Sequence, residues 1–117
     1  MTQDLNALEV ALNTRIQAGD VLGTLQDFYA EHMTMREGAS SEATVGRQAN
    51  HERLSAFLGS LTAFNGATLH AYAIGDGVTL SEWTFDMVGP EGPILWNEVI
   101  RRRWQDGKVV EEVYYTA

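Results

Sequence analysis

The feature that most constrains this chain is a change of hydrophobic period near Asn65-Gly66. Before it, apolar residues recur three and four apart; after it, they alternate. A chain divided in this way builds its helices and its strands separately. It can bury both apolar surfaces only by laying the helices on one face of an antiparallel sheet, which is an α+β architecture.

In the first half, Leu5, Leu8, Leu12 and Ile16 predict an amphipathic helix. Gly19 suits a left-handed helix end, and Asp20 can cap a second helix carrying Leu22, Leu25, Phe28 and Tyr29. His32 to Arg36 alternates like a short strand, and the small polar stretch from Gly38 to Gly46 predicts a loop. A third helix is expected from about Arg47 to Ala63, with Leu54, Phe57, Leu58 and Leu61 on one side and Asn65-Gly66 ending it.

The second half predicts a four-strand meander. Thr68 to Ile74 and Val78 to Val88 are joined by the turn Gly75-Asp76-Gly77. Gly89-Pro90-Glu91-Gly92-Pro93 turns the chain into a last hairpin running from Trp96 to Tyr115. Its Asp106-Gly107 can occupy a two-residue turn or a three-residue loop with Gly107 at a bulge. The three-residue loop is favoured, because it gathers both tryptophans and an isoleucine on the helix-facing side. That face then carries Trp96, Glu98, Ile100, Arg102, Trp104, Val110, Glu112 and Tyr114, with Glu98 opposite Tyr114 and Arg102 diagonal to Glu112. The opposite face carries Val99, Val109, Val113 and Tyr115, with Arg101 facing Glu111. It is apolar enough to predict a homodimer through the outer sheet face.

A length of 117 residues suits a single domain, 1–117, with a real core. Hydrophobic content of 44% and charged content of 21% are globular values. The net charge of −8 argues against nucleic acid as a partner, and Arg101-Arg102-Arg103 alternates faces in a strand rather than forming a patch. Absence of cysteine removes disulfides, thiol nucleophiles and thiolate metal sites. No apolar run approaches bilayer length and Met1-Thr2-Gln3-Asp4 does not begin a signal peptide, so no membrane partner and a cytoplasmic location are expected.

Ala18-Gly19-Asp20, Phe28-Tyr29-Ala30-Glu31 before a strand, Gly46-Arg47-Gln48-Ala49 opening a helix, and Trp104 to Glu112 occur in a telling order. With these motifs the chain resembles the SnoaL-like, nuclear transport factor 2-like superfamily, which includes ketosteroid isomerase and limonene epoxide hydrolase. The resemblance covers nearly the whole chain. It implies a cystatin-like α+β cone, three N-terminal helices packed on a curved, mostly antiparallel sheet around a pocket. It does not fix the activity, because this fold hosts isomerases, cyclases, dehydratases, hydrolases and plain binders. By resemblance, the catalytic aspartate of ketosteroid isomerase falls on Glu37, while its oxyanion-hole tyrosine and protonated aspartate fall near Leu12 and Ile100. Loss of the last two argues against steroid isomerisation by that mechanism. The hydrolase's arginine and aspartates fall on Trp83, Phe85 and Tyr114, so its triad is missing too.

Glu37 is the sharpest catalytic candidate: at the mouth of an apolar cone, a partly desolvated carboxylate would titrate in the range of a general base. The plainer reading is a solvated glutamate paired with Arg36. Glu98 and Tyr114 would assist by sharing a hydrogen bond that donates to an enolate, with Arg102 and Glu112 beside them; structural pairing of buried charges is the plainer reading here. Tyr29, Met35, Phe57, Trp83, Phe85, Met87 and Trp96 would line the cavity for a small, largely apolar molecule, or simply form a core. His70 could face the cavity. His32, His51 and His70 lack ligand spacing, so no metal is expected. Proton-transfer chemistry on a carbonyl compound would need no cofactor. The rival is a non-catalytic ligand-binding or assembly domain.

Overall fold

The computed structural model describes residues 4–38 and 41–116. Helix α1 spans Leu5–Gln17, and its first turn is closed by Asp4, whose side chain accepts from the Ala7 N–H. Gly19 ends the helix at φ 88°, and the Gly19 and Asp20 N–H groups donate to the Ile16 and Arg15 carbonyls. Asp20 then caps α2 (Val21–Phe28) by accepting from the Gly23 N–H. Strand β1 (Tyr29–Glu37) follows without a loop, longer at both ends than the alternation alone predicts.

A two-residue strand β2 (Thr44–Val45) lies within the stretch expected to be loop. It leads into α3 (Arg47–Ser60), which starts at Gly46 with φ 97°. Two bonds hold this start against β1: the Gly46 N–H donates to the Met33 carbonyl, and Arg47 donates to the Tyr29 carbonyl. The helix stops at Ser60, earlier than expected. Asn65-Gly66 does not end it but lies inside β3 (Ala63–Ile74), at a register shift between Phe64 and Gly66. The two turn-forming residues mark a bulge in a strand, the other place where such residues are tolerated.

Strands β3, β4 (Val78–Gly89), β5 (Gly92–Gln105) and β6 (Lys108–Thr116) form the expected meander. The sheet order is β2-β1-β6-β5-β4-β3, with β1 parallel to β6 and every other pair antiparallel. Three helices on one sheet therefore give the expected α+β cone. Leu12, Leu25, Met33, Trp83, Ile100 and Trp104 are buried between the layers. Each contributes roughly 1.5–3 kcal/mol through removal of apolar surface from water. Among the described residues no helix is long and apolar enough to cross a membrane.

The last hairpin departs from the favoured register. Asp106 and Gly107 both have positive φ, 52° and 77°, so they form a two-residue turn whose twist matches that of the strands. Gln105 pairs with Lys108 and Trp104 with Val109. The register then shifts, so Arg103 pairs with Glu111, Arg102 with Glu112 and Ile100 with Tyr114. Val110 is the extra residue, and Val109 takes the place in the core expected of Val110. Arg101 lies opposite Val113 yet still reaches Glu111 at 2.9 Å.

Candidate functional site

Helices α2 and α3 stand away from the inner face of β4, β5 and β6 and leave a cavity of about 260 Å³. Leu25, Leu54, Phe57, Phe85, Met87 and Ile100 supply its apolar wall. Phe57 from α3 stacks on Trp96 from β5, with ring centroids 5.2 Å apart. Trp96 remains 37% exposed, so this aromatic pair borders the opening. The volume lies just below the roughly 300–1,000 Å³ of drug-sized sites, which suits a small molecule.

The polar wall comes from β1, β5, β6 and α3, through Glu37, Glu98, Glu112, Tyr114 and Arg53. Behind it lies a buried polar cluster centred on Arg102, which has no exposed side-chain surface. Arg102 Nε donates to Glu112 Oε1 at 2.9 Å. Arg102 Nη1 donates to both oxygens of Glu9, at 3.0 and 3.2 Å, and to Asn13 Oδ1 at 3.0 Å. Glu9 also accepts from Asn13 and Thr79, and Thr79 in turn accepts from the Trp104 indole. Two buried carboxylates thus share one guanidinium, which is tolerable only because their oxygens accept from several further donors. On the donor side, Arg102 Nη2 has no acceptor among the described residues.

Glu112 is the joint between cluster and cavity. Besides Arg102, it accepts from the Tyr29 hydroxyl at 2.7 and 2.8 Å and from the Tyr114 hydroxyl at 3.1 Å. Burial, reinforced by the Glu112 charge, raises both phenols well above their ordinary range, so they stay protonated donors. Glu98 has no such company. It is half-buried on the wall, pairs across the sheet with Thr116 and makes no hydrogen bond to Tyr114, contrary to expectation. Burial first, then the Glu112 and Glu37 charges, push its carboxyl up to about 7.

Of the residues singled out in the sequence, Glu37, Glu98, Glu112, Tyr114 and Tyr29 all meet at the cavity. So do Met35, Phe57, Phe85 and Trp96. Three do not. Trp83 is wholly buried in the core, where its indole donates to Ser81, and Arg102 is sealed behind Glu112. His70 is exposed, against Thr84 at 2.7 Å, because Ala67 and Leu69 face the core and the alternation puts Thr68 and His70 on the outer face. Glu37 reaches the cavity but is exposed at its mouth, so the desolvation expected of it is not met.

Sequence reasoning missed Glu9, Asn13 and Arg53. Glu9 and Asn13 lie four apart and flank Leu12 on the buried face of α1, a polar pair at core spacing that signals a network. Arg53 precedes Leu54 on α3, and nothing in its spacing marks it. Among the described residues no group of acidic and histidine side chains is arranged to hold a metal ion.

No protein-family model and no curated protein sequence matches the chain. Solved structures do. A candidate SnoaL-like polyketide cyclase from Mesorhizobium loti superposes with a TM-score of 0.85 at 16% identity, covering 98% of this chain and 99% of that one. A protein of unknown function with a cystatin-like fold from Xanthomonas campestris gives 0.84 at 18% identity, covering 98% and 92%. A ketosteroid isomerase-like fold from Catenulispora acidiphila, solved with trimethylamine, gives 0.74 at 12% identity, covering 91% and 82%. The fold is therefore that of the SnoaL-like, nuclear transport factor 2-like proteins. These likenesses define the fold and leave the chemistry to the side chains.

Proposed function

We propose that this protein binds a small, largely apolar carbonyl compound in its cone and moves a proton at the carbon beside the carbonyl. Such a step underlies isomerisation, aldol-type cyclisation and dehydration. Glu98 is the base. The observation that carries this reading is a half-buried carboxyl in a largely apolar cavity, without a hydrogen-bond partner among the described residues and pushed up to about 7. A base held near working pH balances the ionised fraction against proton affinity. Glu37, exposed at the mouth, acts on Glu98 through its charge instead of as the base itself. Tyr114 orients Glu112 and keeps the polar wall dry.

Deuterium exchange at the α-carbon of 2-tetralone, followed by proton NMR in D2O, tests this. Wild type is expected to accelerate exchange and Glu98→Gln to abolish the acceleration while 2-tetralone still binds. Unchanged exchange in Glu98→Gln would remove Glu98 from the chemistry.

A binding role without turnover is the second reading, favoured by the commitment of the Tyr114 hydroxyl to Glu112, which takes that phenol away from an enolate. Under it, 2-tetralone binds but wild type leaves its exchange rate unchanged. We also propose a homodimer through the outer sheet face, supported by the exposure of Leu80, Leu95 and Tyr115 there.

A further inference from the structure

Arg53 is the one cation among the described residues that line the cavity. Its bonding is poor for a guanidinium. Nη2 lies 3.2 Å from the Met35 thioether and 3.2 Å from Asn50 Oδ1, and the buried Nε has no partner among the described residues. No carboxylate among the described residues forms an ion pair with it. Sulfur is a weak acceptor, so a group with five N–H donors in fork geometry is spent on one amide oxygen and one thioether. The contrast with Arg102, which bonds two carboxylates, is sharp.

The neighbouring acids do not fill this gap. Glu112 is taken up by Arg102, Tyr29 and Tyr114. Glu37 is exposed at the mouth, and Glu98 keeps its proton up to about pH 7. A planar cation facing an apolar cavity and short of acceptors lacks one kind of partner, a planar anion.

We infer that the cavity ligand is a small apolar molecule carrying a carboxylate, which the Arg53 guanidinium receives while the rest of the ligand lies against Phe57, Phe85 and Trp96. The inference rests on the reading that the cavity takes a small molecule, but not on Glu98 being a base. The overall charge of −8 makes the local cation the more telling: a carboxylate would enter against the mean field and be held only by a specific contact.

The test is a binding series followed by Trp96 fluorescence and calorimetry, using benzoate, phenylacetate, 3-phenylpropanoate and octanoate, their primary amides, and 2-phenylethylamine. At least one carboxylate is expected to bind about tenfold or more tightly than its amide, the scale of a charge-assisted hydrogen bond. Arg53→Met is expected to erase that preference without weakening the amides, and Arg53→Lys to keep part of it. Circular dichroism melts establish that both variants are folded. If the amides bind as tightly as the carboxylates, or if the amine binds best, the carboxylate inference fails and the cavity reading stands. If no member of any series binds, both fall.

Discussion

Glu9 and Arg102, one on the first helix and the other on the fifth strand, meet at 3.0 Å with no side-chain surface exposed on either. Together with Glu112 they tie α1, β5 and β6 into one polar joint beneath the cavity. Removing the cation would leave two buried carboxylates unpaired. Arg102→Met is therefore expected to lower the unfolding free energy by about 3–5 kcal/mol. Urea denaturation measures this, and a midpoint equal to that of wild type would show that the cluster is not buried as described.

Glu98 makes stability depend on pH. Its carboxyl titrates near 7 in the folded protein against an ordinary 4.5. As pH rises between those values, the unfolded chain has released a proton that the native state still holds. Stability falls across that window. Glu98→Gln cannot titrate, so its stability relative to wild type is expected to grow from pH 4.5 to about 7.5 and then level off. Parallel urea midpoints at four pH values would show this, and a constant difference would contradict it.

The same group sets the expected rate profile. Deuterium exchange of 2-tetralone requires ionised Glu98, so the rate should rise with pH through a midpoint near 7. Glu37→Gln removes one of the charges that raise this midpoint and should move it to lower pH. Loss of the rate with no movement of the midpoint would make Glu37 the reacting group after all.

The turn of the last hairpin offers a local test. Gly107 at φ 77° is expected to tolerate Asn, and Gly107→Val to cost about 1–2 kcal/mol from left-handed strain. Thermal melts distinguish the two, and equal loss in both would mean the turn geometry is not what matters.

For the outer face, Leu95→Glu is expected to leave the fold intact and shift light-scattering mass from dimer toward monomer. A monomeric wild type at high concentration would dispose of the proposed dimer.

The architecture is legible in the sequence because period and turn chemistry are local. Leu5, Leu8, Leu12 and Ile16 announce α1, and Gly75-Asp76-Gly77 announces its hairpin. Bulges are not legible in that way. At Phe64–Gly66 a bulge absorbs Asn65, which looked like a helix end, and sets Ala67 and Leu69 inward, so that His70 falls on the outer face. The last hairpin shows two departures that add: the tighter turn at Asp106-Gly107 shifts the register by one residue, and the extra Val110 shifts it by one more in the same direction. The alternation beyond it is kept while every partner changes. For this reason Arg102, Glu112 and Tyr114 share the expected face although none has its expected partner. The buried pairing of Glu9 with Arg102 joins residues 93 positions apart, and no spacing rule reaches that far.

Strand β6 lies between β5, its hairpin partner, and β1, to which it runs parallel. The first strand formed by the chain therefore waits for the last before it joins the main sheet. During synthesis β3, β4 and β5 can pair before β6 exists, while β1 and β2 have no strand to join them to that sheet. Closure is a late, long-range event of the kind that slows folding. It also completes the Glu112 side of the cavity, so a nascent chain would have no pocket until its sheet is shut.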